Sequence, residues 1–544
     1  MFPPQQLILK GRYRGVINMK QIQPHNTGFS TLEMLIAMTL IILTLSAVTL
    51  TSFGNQSVIV DGQLDAEALN SAQELLEGVQ TLARKDFNLV NPTSTIETIS
   101  AMIYSKNISV VQSDFFTKQI TANVSWIGEH NRAQKVALST LVTNFDNAQG
   151  GDTCSSVLIG DWTAPHIVNA VTELSLLTGT TTGANVITSI DAYKGRVYVT
   201  VNAAQFKTDP RLFIFDSATL KTDPTHSLLG KVTTATNTAM YGMYAVHVSD
   251  GPQNHLYAYV ANDYQANWSA CPAYYDCAQL SVVDVTNPGS VKLASTTYYK
   301  LTNIGGALNS GGAGNSIFYK NGLVYLGLTK SLSGPEFNII DVHDPQHPIQ
   351  VGSGINLDVD VNAITVVGNI AYLATSNDSG EVVSIDVSNP NTPILLSTYN
   401  APGQLSAGYG RSLKMIGDRL YLGRSYVSNA SELIVLDASS TSGAIANPPL
   451  GSRDLGVSLS PFTVYGVLVR DTLAFIAGGN STNGKLFIER LSNISNITEW
   501  ATPLPLPNNS FGFAIDCEGN DVFIGSRDNS ASNLGYLSVI TSAL

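Results

Sequence analysis

Across residues 165–544 one pattern returns: an alternating strand, a tight polar turn, a strand centred on an aromatic, a loop, and a strand ending in an acid. The aromatics are Tyr198, Tyr257, Tyr325, Tyr372, Tyr421, Phe475 and Phe523, with steps of 47 to 68 residues between neighbours. Turns such as Lys194-Gly195, Asn321-Gly322, Gly368-Asn369, Gly417-Asp418 and Gly519-Asn520 precede most of them. The third strands read Leu-Phe-Ile-Phe-Asp216, Leu-Ser-Val-Val-Asp284, Phe-Asn-Ile-Ile-Asp341, Val-Val-Ser-Ile-Asp386, Leu-Ile-Val-Leu-Asp437 and Leu-Phe-Ile-Glu489. This period, with four short strands per unit, is the sequence sign of a β-propeller, and seven aromatics predict seven blades.

After the terminal Asp come Val285-Thr-Asn-Pro288, Val342-His-Asp-Pro345 and Val387-Ser-Asn-Pro390, each leading into a fourth strand. With these segments the units resemble propeller repeats of the LVIVD type, which implies an architecture and no enzyme chemistry. The likeness is good in the middle units and weak in the last two, where the Asp position reads Glu489 and then Thr541. The repeated Asp is expected to bond nearby backbone amides. A ring of calcium sites would need an Asp-x-Asp-x-Asp-Gly loop, which the sequence lacks.

The last unit, Phe511–Leu544, supplies only three strands, and His166–Leu177, after Pro165, reads as the missing fourth. Pairing the two would close the ring and remove an exposed edge. Cys154 lies just outside that segment and Cys517 inside the last unit, so a bridge between them is a candidate lock. Cys271 and Cys277 are candidates for a small loop bridge. Free thiols are the alternative in both cases, since connectivity does not follow from sequence.

The N-terminus is of another kind. Residues 1–28 hold Lys10, Arg12, Arg14 and Lys20 and no acid. There follow Gly28-Phe29-Ser30-Thr31-Leu32-Glu33 and an uncharged stretch from Met34 to Val60, apolar through Leu50. Such a run is about long enough to span a bilayer as a helix, and bases in front of it predict a cytoplasmic N-terminus. This order of basic leader, Gly, Phe-Ser-Thr-Leu-Glu and apolar helix resembles the type IV prepilin signature. The resemblance implies that prepilin peptidase cuts after Gly28 and methylates Phe29. It also implies that Glu33 pairs with the Phe29 ammonium of a neighbouring pilin subunit, because a carboxylate at that depth is costly alone. Leaders of this kind are short, which makes Met19 a candidate start.

Residues 64–82 carry an apolar stripe at helical spacing: Leu64, Ala68, Leu69, Ala72, Leu75, Leu76, Val79 and Leu82. Two strand-like runs follow, 118–126 and 133–143, resembling the terminal hairpin of minor pilins. The expected organisation is therefore a leader over 1–28, a membrane-spanning and amphipathic helix over 29–85, a small β region over 86–150 and the propeller over 151–544. In fold class this is an α+β pilin-like module followed by an all-β propeller.

Composition narrows the function. Acids outnumber bases 41 to 29, a net charge of −12, so nucleic acid is not an expected partner. Catalytic motifs are absent: no Gly-x-Ser-x-Gly elbow, no P-loop, and no Ser-x-Asp-x-Gly-x-Thr-Trp box of sialidase-like propellers. His343 and His347 have metal-like spacing but no third ligand nearby. The expectation is a non-enzyme without cofactor or metal. The second unit carries a long insertion over 262–279 with Tyr264, Trp268, Tyr274 and Tyr275, and the next connection on the same face, 302–314, is long and Gly/Asn-rich. Exposed aromatics on such a loop are candidate anchors for a glycan or protein ligand. The expected role is a minor pilin or pseudopilin displaying a binding head, held in the inner membrane before assembly and then at the cell surface. A type II secretion-like pseudopilus contacting cargo and a membrane-tethered propeller enzyme are the alternatives.

Overall fold

The computed structural model describes residues 31–85, 90–99, 102–112, 117–128, 131–143, 154, 158–168, 172–175, 185–203, 210–233, 240–264, 278–291, 296–301, 312–332, 334–402, 408–456, 461–480, 483–528 and 534–543. Two compact units divide the chain: Met1–Leu75 with Thr93–Ile108 and Ala122–Leu138, and Leu76–Pro92 with Ser109–Thr121 and Ser139–Leu544.

Helix α1 runs unbroken over Thr31–Lys85, through Gly54 and Gly62. It contains no proline, and no Cβ-sized neighbour crowds Gly62 or Gly78. From the apolar stripe, Leu64, Ala68, Ala72 and Val79 are buried, whereas Leu69 and Leu82 remain exposed. Four strands, β1 (Thr93–Ile99), β2 (Met102–Gln112), β3 (Thr117–Ile127) and β4 (Ala133–Thr143), form one sheet in that order. Its inner face carries Tyr104, Ile120, Ala122, Val124 and Trp126. The Tyr104 and Trp126 rings sit 5.7 Å apart, and the Tyr104 hydroxyl donates to Glu67 of α1 at 3.2 Å. Burial and that carboxylate push the Tyr104 phenol up to about 12.

The expected membrane span and inner-membrane location are corrected. Among the described residues no helix is long and apolar enough to cross a membrane. The apolar stretch lies in the first half of α1. Thr39, Thr44 and Ser46 interrupt it, each donating its hydroxyl back to a helix carbonyl.

Six further sheets follow among the described residues, the first of eight strands and here taken as its two four-stranded halves. Their first strands are Asn185–Tyr193, Met240–Asp250, Gly314–Lys320, Val361–Val367, Gly410–Ile416, Thr463–Arg470 and Phe511–Glu518. In the first six sheets the second, third and fourth strands add in chain order, antiparallel, and one Gly242–Asn202 pair joins sheets one and two. The first strands lie side by side in succession, and Phe511–Glu518 returns to Asn185–Tyr193, so the row closes on itself. The chain is thus mostly β, in repeated four-stranded antiparallel sheets, and propeller-like.

In the seventh sheet the fourth place is taken by β5 (Asp161–Ile167), pairing Ile540 with Ile167 and Thr541 with His166. Thr172–Glu173 extends that edge against Leu537 and Tyr536. The strand begins earlier than 166 and contains Pro165, which a sheet edge tolerates because no ladder amide is needed there. Trp162 of β5 is buried edge-on against Phe475, centroids 4.9 Å apart.

Register corrects two points of the repeat. In the second sheet the fully buried aromatic is Tyr259, opposite Val282, while Tyr257 stands opposite Asp284. In the sixth sheet Arg490, opposite Leu473, holds the place of the terminal Asp, and Glu489 points inward instead. Asp284, Asp341, Asp386 and Asp437 accept the amides of Thr286, His343, Ser388 and Ser439 at 2.8 to 3.0 Å, and Asp216 caps the short helix α2 (Ser217–Thr222). These are the turn-forming bonds the sequence predicts for that Asp.

Between neighbouring sheets, sizes alternate near the ring. A Cβ on Gly423 would lie 2.4 Å from Val464 Cγ1, one on Gly327 2.6 Å from Val361 Cγ1, and one on Gly525 2.4 Å from Ile187 Cγ2. At the intervening junctions the order reverses: Gly410 and Gly512 on the first strand face Ala374 and Ala477.

Candidate functional site: the axial ring and its loop face

Every first strand carries one extra residue at the same place. The register slips at Ile187/Ser189, Met243/Ala245, Gly314/Ser316, Val361/Ala363, Gly410/Ser412, Val464/Gly466 and Gly512/Ala514. The bulged residues are Thr188, Tyr244, Asn315, Asn362, Arg411, Tyr465 and Phe513. A bulge leaves its extra residue without a ladder partner and re-aims the side chain. The described side chains among them, Thr188, Asn315, Asn362, Arg411, Tyr465 and Phe513, hold the equivalent place in their sheets.

Those side chains reach along the ring. Thr188 Oγ1 donates to Met243 O at 2.6 Å. Asn315 Nδ2 donates to Val361 O at 3.0 Å and to Asn362 Oδ1 at 3.2 Å, and Asn362 Nδ2 donates to Gly410 O at 2.7 Å. From there the ring turns aromatic and cationic. The Arg411 guanidinium lies 5.6 Å from the Tyr409 centroid and 6.0 Å from that of Tyr465. Tyr465 stacks on Phe513 at 4.7 Å, and Arg527 sits 4.5 Å and 4.8 Å from the Phe513 and Phe511 centroids. Arg411, Tyr465, Phe513 and Arg527 are half-buried.

Buried acids pin the loops around this ring. In the second to fifth sheets the residue five before the terminal Asp stands just ahead of the third strand: the amide Gln279 and the acids Glu336, Glu381 and Glu432, all fully buried. Glu336 Oε2 accepts the amides of Leu357 and Asp358 at 2.8 and 3.1 Å. Glu432 Oε2 accepts those of Leu455 and Gly456 at 2.8 and 3.2 Å. Glu381 accepts the Ala401 amide at 2.8 Å and pairs with buried Arg424 at 2.9 Å. Burial raises the Glu381 carboxyl, and burial with nearby Asp454 pushes Glu432 up to about 7. Burial also raises Glu489 to about 7, against the pull of Arg453 at 3.1 Å.

Of the residues singled out from sequence, Gly28, Phe29, Trp268, Cys271, Tyr274, Tyr275 and Cys277 lie outside the described residues. Glu33 falls within α1, and Tyr264 ends the strand Leu256–Tyr264. Two buried amides root the expected ligand loops: Asn262 donates to Ala278 O at 3.0 Å, and Gln279 accepts the Leu301 amide at 3.0 Å. Cys154 and Cys517 form a disulfide, with Cα atoms 5.3 Å apart. His343 and His347 each turn to their own acid, Asp341 and Asp344, both at 2.8 Å. Among the described residues the one group with ligand spacing is Cys154, Asp516 and Cys517, whose two sulfurs are spent in the disulfide.

The bulge ring and the buried acids escaped the sequence reading, although both leave marks. The residue after each bulge is always small: Ser189, Ala245, Ser316, Ala363, Ser412, Gly466 and Ala514. The acids stand at a fixed offset from an already recognised Asp.

A propeller-like repeat protein with a closed ring of edge strands is the class these features define. No family model matches the chain, and no curated protein matches it. Among solved structures it is similar to a mutant of Trypanosoma rangeli sialidase displaying trans-sialidase activity, at 10% identity and a TM-score of 0.35. That likeness covers 64% of this chain and 59% of the other. The expectation of a chain without enzymatic activity is therefore withdrawn, because a solved structure it matches is an enzyme's. At that TM-score the likeness transfers no activity or residue role.

Proposed function

We propose that the chain is a pilin-like filament subunit, its N-terminal helix packed among other pilin subunits, and that its sheets form a seven-bladed, LVIVD-like β-propeller serving as a binding head for a glycan or protein. The belt on α1 carries this reading. Met34, Leu35, Ile36, Met38, Leu40, Ile41, Ile42, Leu43, Leu45 and Val48 are each more than half exposed, on every side of the helix. One sheet of the same chain covers one stripe of a helix, whereas helices of neighbouring subunits cover all of it and remove that apolar area from water. The order Gly28-Phe29-Ser30-Thr31-Leu32-Glu33 supports cleavage by prepilin peptidase and pairing of Glu33 with the Phe29 ammonium of the next subunit.

Mass spectrometry of the chain after coexpression with a prepilin peptidase tests the reading. A mature chain starting at N-methylated Phe29 is the expected result, and an intact leader beside active peptidase overturns it. Glu33→Ala is expected to leave cleavage intact and reduce incorporation into filaments, scored by immunoblot of sheared filaments.

A further inference from the structure

We propose that the aromatic and cationic arc of the ring, formed by Tyr409, Arg411, Tyr465, Phe511, Phe513 and Arg527, binds a carboxylate-bearing sugar. The inference rests on the propeller being a binding head and names its ligand class, but it is independent of how the N-terminus is processed.

Two other arginines show what the arc lacks. Arg424 meets Glu381 at 2.9 Å, and Arg453 meets Glu489 at 3.1 Å. Arg411 has no carboxylate within salt-bridge distance among the described residues, and its buried Nε has no hydrogen-bond partner. Its guanidinium instead lies near the faces of Tyr409 and Tyr465. Stacked in this way a guanidinium keeps its N–H edge free, and that edge matches a carboxylate with two parallel bonds. Arg527, over Phe511 and Phe513, places a second positive charge on the same aromatic stack. In a chain of net charge −12, the Arg411 guanidinium, with no carboxylate beside it among the described residues, makes a local place that favours an anion.

The remainder of the ligand follows from the neighbours. Tyr465 and Phe513, stacked and half-buried, offer ring faces suited to the C–H face of a saccharide. Elsewhere on the ring Asn315 and Asn362 bond to one another and, with Thr188, to backbone carbonyls, which leaves the aromatic arc as the ligand's place. Because each position is the extra residue of a bulge, its identity is unconstrained by the ladder, which leaves the ring free to be tuned to a ligand.

Isothermal titration of the full-length protein with glucuronate, beside glucose and acetate, tests the proposal. Glucuronate is expected to bind with an affinity that falls as salt rises, while glucose, which lacks the carboxylate, and acetate, which lacks the ring, bind at least about tenfold more weakly. Arg411→Gln is expected to weaken glucuronate binding roughly 10- to 100-fold, the size of a lost charge-assisted bond pair. Tyr465→Leu, which keeps both charges, is expected to weaken glucuronate more than acetate, and it serves if Arg411→Gln fails to fold by circular dichroism. No glucuronate binding to the wild-type chain at about 10 mM, equal binding of glucose, or equal binding by a folded Arg411→Gln or Tyr465→Leu would each overturn it. An uncut leader would refute the filament reading and leave this titration unchanged.

Discussion

Adding one methyl at Gly423 tests whether the ring is held by size matching between sheets. The new Cβ of Gly423→Ala would stand 2.4 Å from both Val464 Cγ1 and Ser412 Oγ, and 3.1 Å from Val467 Cγ2. Carbon atoms pack comfortably at about 3.5–4.0 Å, so the shortfall is about 1 Å. Val464 is β-branched and cannot turn aside cheaply. We expect a loss of about 2–3 kcal/mol, the upper part of the range for overpacking. Val464→Gly alone should lose a similar amount for the vacated side chain, with about 0.5–1 kcal/mol more for glycine in a strand. The double variant recreates the arrangement already present at the neighbouring junction, where Ala374 faces Gly410. It should therefore lose about 2 kcal/mol less than the two singles added together, a coupling within the usual span for contacting residues. Urea unfolding followed by circular dichroism, compared at equal m-values, reads all three. A neutral Gly423→Ala, or strict additivity in the double variant, would show that the junction yields and that size matching does not set the ring.

The remaining predictions concern buried charge. Glu432 has its folded pKa raised from 4.5 to about 7, so the folded state holds the extra proton and stability falls as pH rises between those values. Glu432→Gln should flatten part of that slope in unfolding midpoints taken at pH 5 and pH 8, and an unchanged slope would refute the assignment. Arg424→Leu strands the Glu381 carboxylate in the interior and should cost about 3–5 kcal/mol at pH 8. Because burial already raises the Glu381 pKa, the loss should shrink at pH 5, where the lone carboxyl takes up a proton; a loss independent of pH would exclude this cause.

How far the sequence could be read depended on which interactions leave a local trace. The acid-terminated strands and their Asx-type turns were legible because Asp284, Asp341, Asp386 and Asp437 bond amides two residues away. The closing strand was legible as a missing partner, though Pro165 hid its first residues. Tyr257 and Tyr259 both alternate correctly along one strand, and only pairing with Val282 separates them. Glu489 misled in the same way: an acid near a strand end looks like the repeat's Asp until its register is known. The bulge ring was hidden because its residues, from Thr188 to Arg411 to Phe513, share a position and no chemistry. Position is what a bulge conserves physically, by breaking the ladder at one point and leaving the side chain to vary.

The closing strand also sets a clock. Cys154 lies beside β5 and its partner Cys517 follows 363 residues later. At ribosomal speeds of about 5–20 residues per second, roughly 20–70 seconds pass before that partner exists. During that interval the first sheet has no neighbour on one side, and β5 waits with an open edge able to template aggregation. The ring therefore cannot be completed sheet by sheet as the chain emerges; its last step joins two segments made more than 360 residues apart, and only then does the disulfide have a geometry to lock. A chain stopped between Pro505 and Phe511 would hold six sheets and leave the circle open.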